Sequence, residues 1–94
     1  MDKHEQASLG DDAQRVWDDP AFKNARESVR DAIVQRWSTS PVADKEGQHE
    51  LRLMLKLLDD LEGNLQRVIQ DGKIAKLEIE RSAKDRLKRR IRGF

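Results

Sequence analysis

Between positions 51 and 68 the apolar residues Leu51, Met54, Leu58, Leu61, Leu65 and Val68 recur at alternating steps of three and four. That spacing keeps side chains on one face of an α-helix. The element predicted around this stripe spans residues 45–70. Asp44 is placed to cap its start, and Asp71-Gly72 to end it, because glycine takes the left-handed conformation of a helix C-terminus without a steric cost. A second helical period, Phe22, Ala25, Val29, Ala32, Ile33 and Trp37, predicts a helix over residues 20–37 with Glu27, Arg30, Asp31 and Gln35 facing water. Asp19 is its expected N-cap and Pro20 its first residue, where a fixed φ and a missing N–H do no harm. The intervening segment at residues 38–44, reading STSPVAD, is a connection.

Residues 1–10 are polar, aperiodic and closed by Gly10, so a disordered N-terminus is expected there. A short helix carrying Ala13, Val16 and Trp17 should follow from Asp11 and stop before Pro20. After Gly72 a helical period resumes with Ala75, Ile79, Ala83, Leu87 and Ile91 at steps of four, with Lys76, Glu80, Lys84 and Lys88 on the other side. The expected organisation is a disordered segment at 1–10, a helical hairpin domain at 11–72 and a basic amphipathic C-terminal helix at 73–94.

At 1.5 Å per residue the helix at 45–70 is roughly 40 Å long and the helix at 20–37 about 27 Å. Folded back to back as an antiparallel hairpin, they leave residues 65–69 uncovered, a gap that the Val16 and Trp17 segment is positioned to fill. From 51 to 61 the apolar residues, with Leu53, Leu55 and Leu57 included, cover about 200° of the helix circumference, against the ~100° that one neighbouring helix needs. The all-α fold is therefore expected to be completed by oligomerisation, with Leu51, Leu53, Met54, Leu57, Leu58, Leu61, Leu65 and Val68 as the interface of a homo-oligomer.

Composition agrees with long exposed helices. Of 94 residues, 39% are charged and 36% hydrophobic. A domain of this size buries only somewhat more than ~60% of its unfolded surface, so a partner subunit would add stability. There is no cysteine, which removes disulfides and thiolate metal sites. No apolar run approaches the roughly 20 residues of a membrane span, and the N-terminus is acidic and polar rather than a signal sequence. The expectation is a cytoplasmic protein with no membrane partner.

The net charge of +1 hides a division: residues 1–72 hold ten Lys or Arg against fifteen Asp or Glu, and residues 73–94 hold nine against three. Lys84, Arg86, Lys88, Arg89, Arg90 and Arg92 are the candidate contacts for an acidic partner, either DNA or RNA phosphates or an acidic protein surface. Cations at a helix C-terminus are also favoured by its partial negative charge, so some of them serve the helix alone. No aromatic residue is interleaved with the arginines except Phe94, which argues against base stacking.

No catalytic constellation is present. His49-Glu50 begins a zinc-protease pattern, but Leu53 stands where its second histidine belongs. The pairs Asp11-Asp12, Asp18-Asp19 and Asp59-Asp60 diverge by ~100° on a helix and do not converge on one ion. Trp17 and Trp37 read as core or interface anchors. The chain is expected to be non-enzymatic, with no cofactor and no metal.

The motifs Asp18-Asp19-Pro20-Ala21-Phe22, Ser40-Pro41-Val42-Ala43-Asp44-Lys45-Glu46 and Asp71-Gly72-Lys73-Ile74-Ala75 resemble small helical proteins encoded among the head and DNA-packaging genes of tailed bacteriophages. The resemblance covers residues 18–77 and rests on capping and turn residues. It implies a virion-assembly or DNA-packaging accessory, in the host cytoplasm or the virion, and carries over no catalytic residue. Residues 86–94 lie outside it. Two other readings stay open: an adaptor whose basic tail docks on an acidic protein, and a steric inhibitor of a host nucleic-acid enzyme.

Overall fold

The computed structural model describes residues 1–92, all of whose regular structure is helical: α1 (Lys3–Asp18), α2 (Pro20–Thr39) and α3 (Lys45–Arg92). The all-α expectation holds. The chain divides into two compact units. One joins Met1–Arg15 to the part of α3 from Gln66 onward, and the other comprises residues 16–65.

The boundaries differ from the expected ones at both glycines. Residues 3–10, expected to be disordered, form the first two turns of α1. Its start is capped by Asp2, whose carboxylate accepts the Glu5 N–H at 2.8 Å. Gly72, expected to end a helix, lies inside α3, which runs on for 48 residues without a separate C-terminal element. No glycine among the described residues has positive φ.

The reason is packing in the first unit. A methyl group on Gly10 would come within 2.7 Å of the Gly72 Cα, and one on Gly72 within 3.0 Å of the Gln6 carbonyl oxygen. Backbone meets backbone here, so both glycines are needed for what they lack. Gly10, Ala13, Ile69, Gly72 and Ala75 are the buried residues of this unit. Ion pairs Lys3–Glu78, at 3.4 Å, and Lys76–Asp11 flank the contact. Ile69 lies beside Gly10, Asp11 and Gln14 of α1.

In the second unit the capping expectations hold. The Asp19 carboxylate accepts the Ala21 and Phe22 N–H groups at 2.8 and 3.2 Å, with Pro20 opening α2. At the far end the Ser40 hydroxyl donates to the Trp37 carbonyl at 2.7 Å, and Asp44 accepts the Gly47 N–H at 3.0 Å to start α3. Only Ile33 is buried on α2. Arg30 does not face water as expected: it reaches Asp59 of α3 at 2.8 Å and Glu62 at 2.9 Å.

Candidate functional site

The eight residues expected to form an interface separate into two sets. Leu51, Leu58 and Leu65 are half-buried, in line with Leu55 and Glu62 at steps of four and three. Positions 51, 55, 58, 62 and 65 therefore form the covered seam of α3. The apolar stripe at steps of three and four passes through 54 and 61 instead, since Glu62 interrupts the apolar period along the seam. Arg30 pairs with Glu62 there.

Leu53, Met54, Leu57 and Leu61 remain exposed, Leu57 and Leu61 by 68% and 57%. Val68 is half-buried and belongs to the first unit. A shallow groove joins the exposed set to α2, lined by Val29, Ala32, Ile33 and Arg36 together with Leu51, Met54 and Leu57. The α2 contribution was absent from the expected interface, although Ala25, Ser28 and Ala32 at steps of three and four were visible as a small-residue line. A second groove is lined by Ile33, Val34 and Trp37 of α2 and Leu51, Arg52, Leu55 and Lys56 of α3.

Two arginines carry roles beyond net charge. Asp59, by hydrogen bonding to the Arg30 guanidinium and with Glu62 adding attraction, raises the basicity of Arg30 above its ordinary value. The Arg26 guanidinium lies over the Trp17 ring, 3.6 Å from its centroid, and 5.9 Å from the centroid of the Phe22 ring. Such stacking suits the planar, weakly hydrated guanidinium.

Lys84, Arg86, Lys88, Arg89, Arg90 and Arg92 are all exposed on the last turns of α3. None of them forms an ion pair among the described residues, and Asp85 is the one acid between positions 84 and 92. At 100° per residue the six cations distribute around the helix rather than along one edge. Leu87 and Ile91 stand exposed among them. Phe94 lies outside the described residues.

No protein-family model matches the chain, and neither does any curated protein or solved structure. Among the described residues no group of three or more His, Cys, Asp or Glu gathers as a metal site. His4 lines a surface hollow with Ile79, Ser82 and Arg86, while His49 is exposed on α3. No helix among the described residues is long and apolar enough to cross a membrane.

Proposed function

We propose that this chain is a non-catalytic helical protein that self-associates through residues 16–65 and engages nucleic-acid phosphates through the last turns of α3. The observation that carries the second part is the run of six exposed, unpaired cations from Lys84 to Arg92 against a single acid. Cations already held in ion pairs have less to gain from a polyanion; these have their full charge to offer. Their distribution around the helix suits contact with phosphates on both walls of a groove and carries no base-reading geometry, so binding is expected to be indifferent to sequence.

Self-association rests on apolar surface left outside the pairing of α2 with α3. Arg30 meets Asp59 and Glu62, while Trp37, seven residues later, shares a groove with Leu51 and Leu55. Position advances along α2 as it recedes along α3, which supports an antiparallel hairpin. Leu53, Met54, Leu57 and Leu61 lie outside its seam. Exposed apolar residues that recur over about two and a half turns favour an interaction surface over scattered surface leucines. Virion assembly or DNA packaging, suggested by the phage-protein resemblance, is the setting we assign to this pair of activities.

Leu87 and Ile91 within the cationic segment favour a second reading, docking on an acidic protein with an apolar cleft. Titration of duplex DNA with the full chain at several salt concentrations separates the two. Phosphate binding predicts that log affinity falls linearly with log salt, by roughly 0.9 per phosphate contacted. Replacing Arg89, Arg90 and Arg92 with Gln should flatten that slope. Absent or salt-insensitive binding would remove the nucleic-acid function and leave the adaptor.

A further inference from the structure

The flank of the α2–α3 pair that carries the exposed leucines bears two unlike surfaces. On α3 it is a bulky ridge, Met54, Leu57 and Leu61, which are 48%, 68% and 57% exposed. On α2 it is a line of small exposed side chains, Ala25, Ser28 and Ala32, at steps of three and four, with the half-exposed Val29 beside them in the groove next to α3. Ridge against ridge leaves gaps, and line against line buries little. Ridge against line fills both, as helix packing requires.

A two-fold axis lying in the interface plane and parallel to the helices sets α2 of one copy over α3 of the other, twice, with each residue kept at its own height. We propose that two copies of the chain join in this way, forming a four-helix bundle from two α2 helices and the first halves of two α3 helices. This rests on the self-association reading and specifies its face, stoichiometry and orientation. Heights follow from the existing pairing. Each residue back along α2 matches one forward along α3, so with Ala32 and Leu57 on one groove, Ser28 lies level with Leu61 and Ala25 about one turn beyond it.

Charge selects the same occupant. Arg36 borders the flank beside Leu51 and Met54, and Glu50 precedes them on α3. Neither residue forms an ion pair among the described residues. The axis parallel to the helices brings Arg36 of one copy over Glu50 of the other, and repeats the pair by symmetry. An axis perpendicular to the helices stacks α3 on α3 and leaves both charges without a partner.

Sedimentation of the full chain across a wide concentration range, with circular dichroism as the check on folding, tests the arrangement. The wild type should be a dimer. Leu57→Glu should be monomeric with its helicity retained, because Leu57 is largely outside the fold of its own copy. Arg36→Glu and Glu50→Arg should each weaken dimerisation roughly tenfold, since two rim pairs turn repulsive at once, and the double variant should restore it. A dimer that survives Leu57→Glu, or a double variant no tighter than the singles, overturns this face while leaving self-association standing. A wild type that stays monomeric throughout overturns both.

Discussion

Where α1 meets α3 the buried residues include Gly10, Ala13, Gly72 and Ala75, and two backbones touch. Where α2 meets α3 the residues facing each other are Ile33, Trp37, Leu51 and Leu55, held apart by their own bulk and tied by Arg30 to Asp59 and Glu62. The first contact excludes additions; the second suffers from deletions. The same helix serves both, so what distinguishes them is side-chain size, not backbone geometry. The difference also decides where surplus apolar surface remains in residues 16–65, because side chains that hold helices apart leave their neighbours on the flank uncovered.

The largest expected effect lies on the bulky side. Ile33→Ala should lower the unfolding free energy by about 2–3 kcal/mol, towards the low end for aliphatic core truncations because the surroundings of Ile33 are open enough to relax. Chemical denaturation with the midpoint read by circular dichroism checks it. A change under half that size would mean that the α2–α3 contact depends on its ion pairs and not on packing.

Gly72→Ala probes the other contact. It gains ~1 kcal/mol of helix propensity and meets an overpacking cost of about 1–3 kcal/mol, so net destabilisation is expected. Hydrogen exchange should accelerate first along residues 3–15. Gly63→Ala, on the same helix with nothing within 4 Å of the added methyl, should instead stabilise by about 0.5–1 kcal/mol. If both substitutions shifted the midpoint in the same direction, close approach would not be what requires glycine at position 72.

The smallest effect concerns the start of α1. The Glu5 backbone N–H holds the Asp2 carboxyl below its ordinary value. A depressed carboxyl contributes stability above its unfolded value and loses it as pH falls through the folded one. Protection of the Glu5 amide, its exchange rate corrected for the intrinsic slowing in acid, should therefore fall on acidification below the ordinary carboxylate range, with amides in the middle of α2 serving as internal reference.

Much of the helical content is legible in the sequence, because the chain marks it locally. Asp19-Pro20 and Asp44 are capping signals that need no tertiary partner, and both act as expected. The two glycines were misread for the opposite reason: a glycine that ends a helix and one that admits another helix look alike in one dimension, and only the opposing backbone distinguishes them. Arg30 is expected in water because its charge is equated with solvent, whereas Asp59 and Glu62 of α3 give it a reason to turn toward that helix. Of the candidate sites, the C-terminal cations were evident from composition, and the α3 leucines from periodicity. The α2 side of the flank was not, since alanine and serine carry no hydrophobic signal strong enough to announce a surface.

The guanidinium of Arg26 resting on Trp17 gives the molecule two optically distinct indoles. Trp17 is shielded on one face by a cation, while Trp37 lies open beside the α2–α3 groove. A small neutral quencher should extinguish Trp37 emission well before that of Trp17, so each tryptophan reports on a different side of residues 16–65 without any label being attached.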